Sequence, residues 1–379
     1  MGWLILAVPV GIILLVLVAF RVAIVLGGRG VRPVDAPALV RRPLEAVRVE
    51  RLPNDDLHFA WSLPAEQVSI YAGPSPEAID WQHPLLTVRG ASEAVLAGLD
   101  PAQRFYFGLA FEDAPSEQRV RTTAERRVQI AAERHLPLHG ARNFRDLGGY
   151  RTQDGRRVRW GRIFRSDQLC DLTDSDQAYL ERIGIQVVCD LRDVDERRDS
   201  PDRMPARAAY HVLPIYEGQP RRPLLNILFF RRHLLGATLG RGYIDFLEHG
   251  APSYGQLLRL AAEHQPMVYH CAAGKDRAGI ASALLLALLG VPDETILADY
   301  SLSNLAFDHF YQSFVRKGQL RRLGVPNVQV QALFVVEVAW MEGLLAYLRA
   351  TYGTVDNYLI QKAGLDAETI ARLRADLLD

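Results

Sequence analysis

The chain has little cysteine, no excess of either charge and no obvious metal-binding pattern. Its three cysteines, Cys170, Cys189 and Cys271, form no CxxC pair, which excludes a disulfide framework and a cysteine-ligated zinc site. The 44 basic residues balance the 44 acidic residues, so charge gives no support for a nucleic-acid partner. No cluster of His, Asp and Glu has the spacing of metal ligands, and we predict neither a metal nor a cofactor.

Charged residues are also missing from the start of the chain. Residues 3–20 contain none, and apolar residues continue beyond Arg21 to Leu26. A helix of this length can span a hydrocarbon core of ~30 Å. A secretory signal peptide is the competing interpretation, but the segment lacks a basic N-terminal region and a small-x-small cleavage site. The sequence therefore predicts an uncleaved transmembrane anchor over residues 1–27 and a single-pass membrane protein.

The residues after this span bear on its orientation. Residues 28–43 are rich in Gly, Pro and Arg without periodicity, which is typical of a linker. No Lys or Arg precedes the span, whereas four arginines follow it: Arg29, Arg32, Arg41 and Arg42. The positive-inside rule then favours a cytoplasmic location for the rest of the chain. Because the N-terminal tail is very short, the side of the membrane remains open.

Residues 44–128 change to short runs of alternating polar and apolar residues. Turn signals such as Pro53-Asn54-Asp55 separate these runs, and the pattern predicts a small all-β sandwich. Residues 99–106 resemble the corner of fibronectin type III domains, with Trp61 as the candidate core tryptophan. The sandwich is expected to act as a spacer or to contact a protein partner.

Residues 267–279 carry the strongest chemical signal. An apolar strand leads to Cys271, a short loop containing Gly274 follows, and a helical run begins near Arg277. A loop that opens a helix can direct its backbone N–H groups, here those of residues 272–277, toward a phosphate-sized anion, and it favours a thiolate at Cys271. A guanidinium at Arg277 can bind two oxygens of a transferring phosphoryl group. We therefore predict Cys271 as the nucleophile and Arg277 as the phosphoryl-binding cation.

The sequence HCAAGKDRAG at residues 270–279 resembles the HCxxGKDRxG loop of atypical bacterial tyrosine phosphatases, which also act on lipid phosphates. NFRDLGGY at residues 143–150 and DLR at residues 190–192 resemble two further elements of that family. The resemblance implies a catalytic domain over residues 133–379, with a mostly parallel sheet flanked by helices and the site at the C-terminal end of a strand. The complete predicted fold class is therefore a cysteine-phosphatase α/β fold preceded by a transmembrane helix and a small β-sandwich.

The resemblance also implies further site residues. Asp276 would be the general acid, and Asp190, at a strand end, is the rival candidate. Lys275 is linked by the resemblance to binding of a second phosphate, and His270 is predicted to stabilise the loop by hydrogen bonding. The remaining residues predicted to bind the substrate are Ala272, Ala273, Gly274 and Ala278. A mobile helical lid is implied for residues 222–242, with a plain packing helix as the alternative.

One residue departs from the family pattern. Ala278 stands where related phosphatases usually have Thr or Ser, whose hydroxyl helps the thiolate to leave the phosphoenzyme. Slow turnover is the expected consequence, while binding of phosphate is unaffected.

The leading functional hypothesis is a membrane-anchored, cysteine-dependent phosphatase that acts through a phosphocysteine intermediate. Phosphotyrosine is the expected substrate, with phosphoserine, phosphothreonine or phosphoinositides as further ones, so the partners would be a phosphorylated protein or phospholipid and the membrane. A non-catalytic module that recognises phosphate is the first alternative. A sulfur-transfer or arsenate-reducing enzyme is the second, and it requires Cys170 or Cys189 to lie close to Cys271.

Overall fold

The computed structural model describes residues 46–112, 127–216, 232–317 and 334–379. Within these ranges, the helical stretches 232–240 and 313–317 are described by their backbone alone. The predicted anchor over residues 1–27 and the linker over residues 28–43 lie outside the described residues. So do residues 222–231 of the predicted lid, whereas its residues 232–242 are described.

The N-terminal unit consists of two antiparallel sheets, with strand orders β1-β2-β5 and β4-β3-β6-β7. Its strands are β1 (Val47–Arg51), β2 (Leu57–Trp61), β3 (Gln67–Gly73), β4 (Leu86–Arg89), β5 (Glu93–Leu96), β6 (Tyr106–Glu112) and β7 (Arg127–Ala132). Alternate residues face inward, as Val47 and Val49 of β1 do, because successive side chains of a strand point to opposite faces. Phe59, Ile70 and Phe107 belong to one core that both sheets share.

The C-terminal unit is built on a five-stranded sheet with the order β11-β10-β12-β9-β8. Its strands are β8 (Arg145–Asp146), β9 (Ile163–Ser166), β10 (Val187–Asp190), β11 (Ala209–Val212) and β12 (Met267–His270). Strands β9 to β12 run parallel, and β8 is antiparallel to β9. The register aligns His270 with both Asp190 and Ser166. Three strands therefore end at the same edge of the sheet, which is where parallel sheets bind ligands.

Helices pack on both faces of this sheet. They are α1 (Asp174–Arg182), α2 (Val194–Asp199), α3 (Arg232–Glu263), α4 (Arg277–Leu288), α5 (Asp293–Ser301), α6 (Phe307–Lys317), α7 (Val338–Tyr352), α8 (Val355–Gln361) and α9 (Ala367–Leu377). Met267 and Tyr269 of β12 join the core formed with α3 and α4, whereas Val268 between them joins a second core with α1. Helix α4 is apolar on nearly all sides and buried, as expected of a helix at the centre of a domain.

The two units are joined by buried contacts. Arg104, which precedes β6, donates from Nη2 to Oδ2 of Asp146 in β8 at 2.6 Å, and both side chains are almost fully buried. Asp146 also accepts from the backbone N–H of Gly161 at 2.8 Å. Tyr106 and Trp160 pack against each other across the same boundary. The N-terminal unit therefore packs directly on the five-stranded sheet and is not a free spacer.

The membrane part of the predicted fold class and localisation requires correction. Within the described residues, no helix is both long and apolar enough to cross a membrane. Helix α3 has 32 residues, but it contains charged residues such as Asp245 and Glu248, and α7 has only 15 residues, fewer than the roughly 20 that a span needs. The structure thus supports a mixed α/β protein with several sheets, and it gives no support for a transmembrane helix or a single-pass membrane location.

Candidate active site

The predicted phosphate-binding loop lies between β12 and α4. Strand β12 ends at His270, Cys271 opens the loop at 2% exposure, and α4 begins at Arg277. Gly274 has a φ of 65°, a conformation that side chains with a Cβ rarely adopt. A Cβ at this position would also overlap the carbonyl oxygen of Ser166. Glycine is therefore required here both by the turn and by the close approach of β9.

Three carbonyl groups of the loop accept hydrogen bonds on one side, which we call the back of the loop. The Ala272 oxygen accepts from the backbone N–H of Gln168 at 3.2 Å, the Ala273 oxygen from Nδ2 of Asn143 at 3.0 Å, and the Gly274 oxygen from Nη2 of Arg165 at 2.7 Å. In a trans peptide the N–H points opposite to the C=O. The N–H groups that follow these three carbonyls therefore face the other side of the loop.

A buried network orients the groups behind the loop. Arg165 and Arg145 bind the carboxylate of Asp299 at 2.9 and 3.1 Å, and all three side chains are fully buried. Tyr150 donates its hydroxyl to the same carboxylate at 2.9 Å. Burial alone raises the pKa of Asp299, but the two arginines outweigh it and lower the pKa well below its usual range. The NFRDLGGY segment thus supplies Asn143, Arg145 and Tyr150 to the support of the loop.

Arg277 is oriented by a residue that the sequence analysis missed. Its Nη1 and Nη2 atoms donate to the two carboxylate oxygens of Glu196 at 2.6 and 2.8 Å. Although burial acts to lower the pKa of Arg277, Glu196 and Cys271 raise it above its usual value, so the guanidinium stays charged. Glu196 lies in α2, where it also accepts from the backbone N–H of Asp193 in a capping box.

Asp276 lies at the entrance to α4 with its carboxylate part-exposed. Its Oδ1 atom accepts from the hydroxyl of Tyr243 and from Nζ of Lys275 at 2.9 Å. Lys275 itself is 7% exposed. It is therefore folded back onto the loop as a partner of Asp276 and does not extend from the rim as a solvated cation.

The rival carboxylate, Asp190, has different partners and is more deeply buried. Asp190 is fully buried at the C-terminal end of β10, where it binds Arg192 at 2.8 Å and accepts from the hydroxyl of Tyr210 at 2.6 Å. Burial acts to raise the pKa of Asp190, but His270 and Arg192 lower it well below the usual range. This carboxylate keeps its charge and its hydrogen bonds to the protein.

One group of residues could be considered for a metal. The ligand atoms of Asp190, Asp202 and His270 lie within 4.8 Å of one another, and Nε2 of His270 is 3.1 Å from Asp202. Arg192 occupies the same cluster, because its Nη2 atom lies 2.8 Å from Asp190 and 2.6 Å from Asp202. The guanidinium already neutralises these carboxylates, so the residues fit an ion-pair cluster better than a cation site. The predictions of a metal-free site and of His270 stabilising the loop by hydrogen bonding stay predictions.

The two other cysteines lack the environment that a resolving thiol requires. Both are free thiols. Burial raises the pKa of Cys170 to about 11 and that of Cys189 to about 12. At neutral pH both are protonated, and a protonated thiol is a poor nucleophile. This weakens the hypothesis of a sulfur-transfer or arsenate-reducing enzyme.

Ala278 follows Arg277 in the first turn of α4, where it is fully buried. Its carbonyl oxygen accepts from the hydroxyl of Ser282 at 2.8 Å. The position next to the loop therefore has an apolar side chain, as the sequence indicates.

Comparison with known proteins identifies matches to the C-terminal unit. A family model described as the tyrosine phosphatase family matches residues 136–379. A Cupriavidus necator protein that bears the name of a tyrosine-protein phosphatase is 31% identical over 238 residues, covering 62% of this chain and 85% of that protein. The triple specificity protein phosphatase PtpB of Mycobacterium tuberculosis is 30% identical over 278 residues, covering 64% of this chain and 98% of that protein.

The family match begins at residue 136, after the N-terminal sheets. It gives no support to the fibronectin type III resemblance of residues 44–128 or to a protein partner for that unit. Both stay predictions.

Proposed function

Because this chain belongs to the tyrosine phosphatase family and is a protein-tyrosine phosphatase, we propose that it hydrolyses phosphotyrosine through a phosphocysteine intermediate on Cys271. The observation that carries the proposal is the loop between Cys271 and Arg277. Three of its carbonyls are bound from behind, which supports an inward-facing set of N–H donors. Such donors at a helix start bind phosphate-sized anions.

The proposed reaction has two displacement steps. The thiolate of Cys271 attacks phosphorus, so that an S–P bond forms while the P–O bond to the tyrosine breaks. A water molecule then attacks the phosphocysteine, which releases inorganic phosphate and restores the thiolate. Because charge builds up on the phosphoryl oxygens, preorganised N–H donors and a fixed guanidinium lower the barrier.

Arg277 suits the role of phosphoryl clamp because of the way Glu196 binds it. Glu196 occupies the edge formed by Nη1 and Nη2. A guanidinium has five N–H donors. Nη1 also donates to the Leu191 oxygen at 3.3 Å, so within the described residues Nε and the second N–H of Nη2 remain for a ligand. The pair therefore fixes the plane of the guanidinium while leaving its other edge for two phosphoryl oxygens.

Asp276 is our proposed general acid, in preference to Asp190. A general acid must reach the leaving oxygen and carry a proton. Asp276 is next to Arg277 in the chain and part-exposed. The lowered pKa of Asp190, its full burial and its bonds to Arg192 and Tyr210 support a structural role instead.

The depth of Cys271 supports phosphotyrosine as the main substrate. At 2% exposure, its sulfur can be reached more easily by a phosphoryl group on a long aryl side chain than by one on serine or threonine. Binding of a second phosphate by Lys275 would require exchange of its ion pair with Asp276. The relative named as a triple specificity phosphatase nevertheless justifies a test of wider specificity.

The test follows release of phosphate by the full chain under reducing conditions. Phosphotyrosine, phosphoserine and phosphothreonine peptides and a phosphoinositide are compared, with Cys271→Ser as the control. We expect release from the phosphotyrosine peptide, loss of release in the variant, and a phosphocysteine detectable by mass spectrometry after rapid acid quenching. Binding of phosphate without turnover on any substrate would instead support the non-catalytic module.

A further inference from the structure

Two buried tyrosines form a hydrogen-bonded chain that ends on the carboxylate of Asp276. Tyr243 of α3 donates its hydroxyl to Oδ1 of Asp276, and its oxygen is hydrogen-bonded to the hydroxyl of Tyr300 in α5. Both tyrosines are almost fully buried, at 2% and 1% exposure. A hydroxyl has a single proton to donate, so the chain of donors runs from Tyr300 to Tyr243 to Asp276.

The ring of Tyr243 is fixed by its neighbours. It packs edge-on against Tyr300 at a centroid distance of 6.1 Å, tilted against Trp340 at 5.8 Å and edge-on against Phe246 at 6.5 Å. Burial and the Asp276 charge raise the pKa of Tyr243 well above its usual value. Its hydroxyl therefore stays protonated, and a donor, at neutral pH.

The contacts of Asp276 are unequally divided between its two oxygens. Both Tyr243 and Lys275 bind Oδ1, and within the described residues no hydrogen bond ends on Oδ2. The side chain is 28% exposed, so one edge of the carboxylate faces the protein and the other is open. Donors on Oδ1 fix the rotation of the group and favour the proton on Oδ2.

We propose that Tyr243, supported by Tyr300, is a positioning residue that directs Oδ2 of Asp276 toward the leaving oxygen of the substrate. This inference rests on the proposed function. In the first step the proton on Oδ2 passes to the tyrosine oxygen as the P–O bond breaks and the S–P bond forms. In the second step Oδ2 takes a proton from the attacking water as the S–P bond breaks, so the acid is restored.

The test uses the full chain and two aryl phosphates, one with a strongly acidic phenol as leaving group and one with a weakly acidic phenol. Only the weakly acidic phenol needs a proton in the transition state. We expect Tyr243→Phe to lower kcat/KM, which reports the step in which the P–O bond breaks, about tenfold on that substrate and less than about twofold on the other, and Asp276→Asn to lower it about 100-fold with the same selectivity. Tyr358→Phe is the matched control, because it removes another buried hydroxyl bonded to α3, at 2.7 Å from the Leu247 oxygen.

Two further variants separate positioning from general damage to the fold. Tyr300→Phe leaves Tyr243 in place, and we expect a loss of about threefold that is again confined to the weakly acidic phenol. In Tyr243→Phe combined with Asp276→Asn, the loss should not exceed that of Asp276→Asn alone, because Tyr243 acts through Asp276.

Different results would overturn different claims. Equal losses on both substrates, or multiplicative losses in the double variant, would reject the positioning role of Tyr243. An active wild type that Cys271→Ser abolishes, with Tyr243→Phe unchanged, would reject it while leaving the proposed function intact. Wild-type activity that survives Cys271→Ser, or no activity on either substrate, would reject the proposed function and this inference together.

Discussion

The two sides of the loop after Cys271 are supported by different kinds of interaction. Behind it, Arg145, Arg165 and Asp299 form a network that is inaccessible to solvent. In front, the pairs Arg277–Glu196 and Lys275–Asp276 remain partly exposed. Buried ion pairs are costly to break, whereas exposed ones exchange partners at little cost. The back of the loop therefore determines its shape, and the front can exchange contacts with an arriving phosphate.

The largest loss of stability is expected when the negative charge behind the loop is removed. Asp299→Asn leaves two buried arginines without their carboxylate, and we expect the free energy of unfolding to fall by about 3–5 kcal/mol. Urea denaturation monitors the change. Asp293→Asn is the matched control, since its partner Arg349 is half-exposed, and a loss of only ~0–1 kcal/mol is expected. Similar losses in the two variants would contradict the distinction between buried and exposed pairs.

Gly274→Ala alters the shape of the loop without changing charge. The φ of 65° and the overlap with Ser166 should together cost about 2–3 kcal/mol of stability and abolish binding of inorganic phosphate. Gly184→Ala has a comparable φ of 76° with no neighbouring atom within 4 Å, and it should cost only about 1 kcal/mol. If the two variants were equally stable, the close approach of β9 would have no energetic role.

Glu196→Gln tests the front of the loop. The charge that orients Arg277 is lost, so we expect kcat/KM to fall about tenfold, equivalent to about 1.4 kcal/mol of transition-state stabilisation. Stability should change by less than about 1 kcal/mol because the pair is partly exposed. Asp195→Asn, at a half-exposed position of the same helix, should leave the kinetics unchanged. A large loss of stability in Glu196→Gln would place this pair in the same class as the buried network.

Acid should weaken the back of the loop selectively. The folded pKa of Asp299 lies below that of an unfolded aspartate, about 3.9, so its stabilisation is complete above that pH and is lost as the pH falls toward the folded pKa. We expect the stability difference between wild type and Asp299→Asn to narrow by about 1 kcal/mol between about pH 5 and about pH 3. A difference that stays constant over this range would show that Asp299 is not the titrating group.

The smallest expected effect concerns the residue that follows Arg277. A hydroxyl at position 278 can donate to the leaving thiolate, so Ala278→Ser should raise kcat about threefold if breakdown of the phosphocysteine limits turnover. Ala281→Ser, which adds the same group at a buried position three residues further along α4, should not. An unchanged rate in Ala278→Ser would indicate that another step is limiting.

Local features of the site could be predicted from the sequence. The strand before Cys271, the loop and the start of α4 lie where the apolar run, Gly274 and Arg277 indicate, because strand, turn and helix signals are encoded by neighbouring residues. Glu196, Asp299 and Tyr243 were missed. Each contacts a partner 33 to 154 residues away in the chain, and local periodicity contains no information about such pairs.

Helix α3 shows how local signals can also mislead. The predicted lid ends at residue 242, whereas one helix runs from Arg232 to Glu263 with Pro252 inside it. Proline usually ends a helix. Here Tyr243, Leu247, Ala251, Tyr254, Leu258 and Ala261 all enter one core, and this packing outweighs the lost backbone hydrogen bond.

Strand β8 has only two residues, and each is bound by a different part of the protein. Asp146 accepts from Arg104 of the N-terminal unit, while Arg145 binds Asp299 behind the loop. A single peptide bond separates these attachments. In mechanical terms, a force applied to the N-terminal unit would reach the residues that hold the phosphate-binding loop through this one peptide bond.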